Sequence, residues 1–216
     1  MKKIKTALLV ALITIAISVL IYFIPTDGLG NRLPFADRFY TNTILEVVAI
    51  NGKAKVTIDG KDYGETPITV NELNPGDYTI GLERISNTED FYQNETFSVK
   101  LTKNTTSRVE MEIGPAGILH GTILYYTPQN NLDKNRGSLS ILSNVEGAKI
   151  FLDREYIKSS PIVAYPLDSG TYELEVVATG YETLEIPILV EEDYLLNIQT
   201  YLFPIPIIFD GVNNGQ

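Results

Sequence analysis

The chain has 216 residues, a formal charge of −10 and no cysteine, a length suited to one medium domain or two small ones. Without cysteine there is no disulfide framework, no thiolate zinc site, no thiol nucleophile and no lipid-modified cysteine. One histidine, His120, removes most of the remaining catalytic chemistry near neutral pH, because triads and zinc sites usually need a well-placed imidazole.

Residues 1–6 carry Lys2, Lys3 and Lys5, and residues 7–24 follow as a run without a charge in which only Thr14, Ser18 and Tyr22 have a polar side-chain atom. At about 1.5 Å of rise per residue this run reaches roughly 27 Å, enough to span a bilayer as a helix. A cleaved signal peptide is the rival reading. Its apolar region is normally shorter and ends in small residues, whereas this run ends Leu20-Ile21-Tyr22-Phe23-Ile24-Pro25, so a retained single-pass anchor is expected. The lysines place residues 1–6 in the cytoplasm and everything after Pro25 outside it. Without Lys2, Lys3 and Lys5, 14 basic residues face 27 acidic ones, a formal charge of −13. That balance disfavours nucleic acid as a partner and suits calcium, basic peptides or uncharged glycans, or simply solubility.

A juxtamembrane linker at 25–43 contains Gly28, Gly30 and Pro34. The next segment, 44–114, shows period-2 alternation: Ala54, Val56 and Ile58, then Tyr78, Ile80 and Leu82, then Phe97, Val99 and Leu101, then Val109, Met111 and Ile113. Each run reads as a half-buried strand. Asp59-Gly60 and Asn74-Pro75-Gly76-Asp77 supply turn residues between them. A linker at 115–137 contains a strand-like stretch, 121–126, able to pair with a neighbouring sheet. In 138–203 the alternation returns with Ala148, Ile150 and Leu152, then Tyr172, Leu174 and Val176, then Ile186, Ile188 and Val190. A C-terminal tail, 204–216, has an apolar part expected to pack and an end expected to fray.

The two segments are copies of one unit. Residues 44–80 align with 138–174 at a constant offset of 94, with nine identities that include Asp59/Asp153, Pro67/Pro161, Gly76/Gly170 and Tyr78/Tyr172. Beyond them the offset falls to 89, leaving five extra residues near 86–90 of the first copy as a longer loop. The expected fold is all-β: two tandem small antiparallel β-sandwich domains preceded by a single transmembrane helix, each small enough to lean on the other.

Several stretches carry a family resemblance: Ala148-Lys149-Ile150-Phe151-Leu152-Asp153, Ser160-Pro161, Leu167-Asp168-Ser169-Gly170-Thr171-Tyr172 and Gly180-Tyr181, with Val56-Thr57-Ile58-Asp59-Gly60, Gly64-Glu65-Thr66-Pro67 and Leu73-Asn74-Pro75-Gly76-Asp77-Tyr78 in the first copy. They resemble the PEGA domain, a short β-sandwich repeat found mainly in exported bacterial and archaeal proteins. The signature tetrapeptide reads Val145-Glu146-Gly147-Ala148 in the second copy and Asn51-Gly52-Lys53-Ala54 in the first. Arg154 replaces the glycine of the Asp-Gly turn, which makes that hairpin less secure. The resemblance implies a non-catalytic surface or envelope accessory, suggests carbohydrate or cell-wall attachment, and brings no catalytic residues and no cofactor.

Candidate chemistry is sparse. Asp59, Asp62 and Glu65 share one turn region where oxygens could converge on calcium, but the spacing departs from an EF-hand and solvated turn carboxylates are the default. No Gly-x-Ser-x-Gly occurs, and Gly28-Leu29-Gly30 is not a dinucleotide loop. His120 reads as a linker histidine. Asn94-Glu95-Thr96 and Asn104-Thr105-Thr106 match the glycosylation sequon and are treated as incidental. Of the 13 tyrosines, Tyr63, Tyr92, Tyr156 and Tyr165 stand beside turns, where exposed rings could stack on sugars, although packing is the commoner use. The expected function is a membrane-anchored, extracytoplasmic protein presenting two interaction modules to an envelope protein or glycan. The alternative is a structural spacer or assembly subunit of an envelope complex.

Overall fold

The computed structural model describes residues 42–71, 73–87, 91–130 and 134–206; the expected membrane helix at 7–24 lies outside them. Within them no helix is long and apolar enough to cross a membrane. The described fold is all-β apart from short 3-10 turns, one of them at Pro115–Gly117. The first repeat supplies β1 (Ile44–Ala49), β2 (Ala54–Ile58), β3 (Lys61–Glu65), β4 (Ile68–Val70), β5 (Gly76–Arg84), β6 (Glu95–Leu101) and β7 (Thr106–Ile113). The stretch read as a linker holds β8 (Leu119–Pro128). The second repeat supplies β9 (Arg136–Ser143), β10 (Lys149–Leu152), β11 (Glu155–Ser159), β12 (Ile162–Asp168), β13 (Gly170–Val177), β14 (Leu184–Val190) and β15 (Tyr194–Tyr201).

Each repeat is a sandwich of a four-stranded and a three-stranded layer. The four-stranded sheets run β3-β2-β5-β6 and β11-β10-β13-β14. The three-stranded layers are joined by β8 into one seven-stranded sheet, in the order β12-β9-β15-β8-β7-β1-β4. Residues 42–206 therefore fall in a single compact unit, with β8 as the shared central strand.

The geometry of β8 sets the rest. It runs antiparallel to β7 on one side and to β15 on the other, so these two strands point the same way while the strand order reads outward in mirror fashion. That combination turns the second repeat over, and the two four-stranded sheets cover opposite faces of the long sheet. Alternation along β8 records it: Leu119 and Ile123 belong to the first core, with Tyr125 packed against it, whereas Tyr126 belongs to the second, with Leu124 packed against it. A strand covered on both faces has no solvent phase at its centre. Gly121 marks the tightest approach. Its φ is +142°, and a Cβ there would lie 2.1 Å from the Glu110 carbonyl oxygen of β7.

The duplication reaches down to single hydrogen bonds. The Thr79 amide donates to Asp59 Oδ1 at 2.8 Å, and at the matching place the Glu173 amide donates to Asp153 Oδ1 at 2.9 Å. The hydroxyls of Tyr78 and Tyr172 donate to the carbonyls of Asn74 and Asp168, each at 2.9 Å; both rings are half-buried against their cores. Thr66–Pro67 and Ser160–Pro161 are both cis. The hairpin after Asp153 is kept despite the lost glycine: Asp59 and Gly60 sit at φ 49° and 77°, Asp153 and Arg154 at 50° and 68°. The Asp153 hydrogen bond holds the turn while Arg154 bears the left-handed strain. Arg154→Gly is accordingly expected to stabilise the protein by roughly 0.5–1 kcal/mol, strain relief outweighing the added chain entropy, read as a rise in melting temperature.

Candidate functional site

The four turn tyrosines lie on different elements of both repeats. Tyr63 on β3 is half-buried against the first core, with Lys61 Nζ 5.2 Å from its ring centre. Tyr92 packs on the same core, under the Arg84 guanidinium at 4.5 Å and edge-to-face with Phe91 at 5.3 Å. Tyr165 on β12 is half-buried against the second core. Tyr156 on β11 is 52 % exposed, the most open of the four.

Tyr156 is also the one that belongs to a built surface. It stands edge-to-face with Phe151 at 5.6 Å between ring centres. Register places Tyr156 opposite Phe151, Phe151 opposite Glu175 and Glu175 opposite Glu185. A single row thus crosses the outer face of the second four-stranded sheet: two aromatic rings, then two carboxylates. Beside the row is an open hollow of about 610 Å³ lined by Asp153, Arg154, Glu173, Glu175 and Glu185. Aromatic faces can stack on sugar rings, and carboxylates accept hydrogen bonds from hydroxyls. The first repeat differs at the same place, where the row reads Asp62, Thr57, Gly81 and Thr96. A side chain at Gly81 would collide with Thr57, whose Oγ1 lies 2.4 Å from the Cβ position. Sequence reasoning missed Phe151, Glu175 and Glu185. Their signal was the polar phase of β10 and β13, in which an aromatic stood where the first copy has Thr57.

The remaining candidates have structural partners. Asp59 holds its turn, Asp62 Oδ1 accepts the Gly64 amide at 2.7 Å, and Glu65 pairs with Lys53 at 3.3 Å. No group of three or more histidine or acidic side chains among the described residues is placed to hold a metal ion. His120 is a strand residue of β8; its Nδ1 accepts the Phe203 amide at 3.3 Å, and the two rings lie 5.3 Å apart.

A buried tyrosine and a half-buried carboxyl lie near the junction of the repeats. Tyr126 donates to the Leu189 carbonyl at 2.7 Å, and burial together with the Glu191 carboxylate pushes its phenol up to about 12. Burial also raises the Glu191 carboxyl above its ordinary value. A carboxyl whose folded pKa is raised favours folding below its unfolded pKa and loses that contribution as pH rises through the folded one. Glu191→Gln is therefore expected to raise the melting temperature at pH 7 and to change it little at pH 4, a difference that thermal melts at the two pH values measure.

This architecture is that of a tandem β-sandwich repeat protein whose copies are fused through an added strand. The PEGA domain model matches residues 43–116 and 136–205, and the chain belongs to that family, with two tandem repeats. β8 falls between the matched segments, so the strand that joins the repeats is part of neither. No curated protein matches the chain.

Proposed function

We propose that this is a non-catalytic, membrane-anchored protein that displays its fused repeats on the outer side of the cytoplasmic membrane. Lys2, Lys3 and Lys5 followed by the uncharged run 7–24 support a single-pass anchor with the N-terminus inside. The partner is an envelope polymer, with carbohydrate the best fit. The observation carrying this part is the pairing of exposed Tyr156 with half-buried Phe151, continued by Glu175 and Glu185. A spacer role has its own support in the seven-stranded sheet, whose outer strands stand roughly 29 Å apart at about 4.8 Å per strand; it would hold two partners at a set distance.

Retention of the detergent-solubilised full chain on immobilised envelope polysaccharide tests the binding. Tyr156→Ala with Phe151→Ala is expected to lower retention at least about tenfold, each lost stacking contact contributing on the order of 1 kcal/mol. Retention unchanged by both substitutions contradicts this face as the contact. One dominant protein cross-linked in the native membrane favours the spacer reading.

A further inference from the structure

The turned-over arrangement of the repeats creates a second concavity, at the junction itself. On β15 the side of the strand away from the second core is partly covered by the first repeat: Tyr201 stands edge-to-face with Phe97 of β6 at 6.0 Å between ring centres. Further along the same strand the cover ends and a cleft of about 320 Å³ opens, reaching from Ser98 of β6 across β8 and β15 to Leu142 and Val163. It exists only because β8 seats β6 against the second repeat.

Its chemistry differs from that of the surrounding surface. In a chain with 27 acidic and 17 basic residues, the cleft lining contains no carboxylate, amine or guanidinium. Its polar groups are hydroxyls and amides. Ser140, Asn197 and Tyr125 form a straight cross-strand row over β9, β15 and β8, spanning roughly 10 Å at about 4.8 Å per strand, the length of two sugar rings. Gln199 follows in the next row, beside Leu142. Asn197 Nδ2 is held by Thr127 Oγ1 and the Leu195 carbonyl, both at 3.1 Å, which fixes the amide in place. The Gln199 amide, the Tyr125 hydroxyl and the Ser98 hydroxyl bond to no other described residue. At the lip Leu142 is 54 % and Val163 79 % exposed, apolar surface against which the C–H face of a sugar can rest.

From these observations we propose that the inter-repeat cleft is a binding site for a short uncharged saccharide, one or two neutral sugar units long. A charged ligand would shed hydration there without a counter-charge, and the volume is that of a small-molecule pocket rather than of a protein interface. The site goes beyond the outer-face reading and does not depend on it.

The test is calorimetric titration of the full chain in detergent micelles with the neutral disaccharides cellobiose, maltose and N,N′-diacetylchitobiose, and with charged digalacturonate and chitosan dimer. At least one neutral disaccharide is expected to bind, with the charged dimers at least about tenfold weaker. Gln199→Ala should weaken that binding about tenfold, the loss of one or two hydrogen bonds. Ser98→Trp, a change at an exposed edge-strand position, should abolish it by closing the mouth; both cleft substitutions are also titrated in a Tyr156→Ala background, which removes any outer-face contribution, and unaltered melting temperatures show that the variants are folded. The proposal is overturned if none of the neutral disaccharides binds, if the charged dimers bind equally well, or if binding survives both cleft substitutions in the Tyr156→Ala background. Loss of binding in Tyr156→Ala alone would move the site to the outer face.

Discussion

Gly121→Val is expected to unfold both repeats at once. The Cβ it introduces meets backbone, with the Glu110 carbonyl oxygen at 2.1 Å and Met111 Cα at 2.9 Å, so no side-chain rotation relieves the collision. β7 and β8 must separate or β8 must shift, and the φ of +142° adds strain of its own for a β-branched residue. Because β8 also carries β15 on its other side, the disturbance reaches both cores. The expected loss is at least about 4 kcal/mol, the range reserved for severe mechanisms. Gly147→Ala is the control: φ is +71° and nothing lies within 4 Å of its Cβ position, so only about 1 kcal/mol of strain is expected. Urea unfolding of the full chain in micelles measures both, and similar costs for the two variants would contradict the part assigned to β8.

The second large effect is a cavity that acts at a distance. Leu174, fully buried in the second core, is expected to cost about 2–5 kcal/mol when replaced by alanine. If the repeats were independent, only the second would be weakened. With β8 common to both layers, removing the second repeat's contribution uncovers one face of β8 and leaves its β15 side unpaired, so the first repeat cannot stay folded at its former stability. Leu174→Ala should therefore lower the global opening free energy of amides in β2 as much as that of amides in β10. A loss confined to β10 would show two separable domains.

Much of this was legible in the residues. The offset of 94 carried over to atoms: Asp59 and Asp153 make the same turn bond, and Tyr78 and Tyr172 make the same hydrogen bond to the residue four positions back. Alternation in β2, β5, β6 and β7 marked the buried phase because each of these strands has one face on a core. The same rule falls silent on β8. Thr122, Ile123 and Tyr126 are all buried, since neighbours along the strand face opposite cores, and nothing local distinguishes such a strand from a linker that merely pairs at an edge. The turn at Asp153-Arg154 shows the converse, a local preference overridden: arginine disfavours the left-handed conformation, yet the side-chain bond to the Glu173 amide and the ladder between β10 and β11 hold it there. The outer-face row was hidden for a third reason. Phe151 and Tyr156 meet through a register shift between Ile150 and Phe151, and a one-residue irregularity of that kind leaves no periodic trace.

Native-state hydrogen exchange of the unmodified full chain in micelles, followed by mass spectrometry across increasing urea, tests the shared strand most directly. The most protected amides of β2 and of β10 should converge on one opening free energy with one urea dependence, since losing β8 exposes both cores together. Two distinct limits, with β10 opening at lower urea while β2 stays protected or the reverse, would contradict the account.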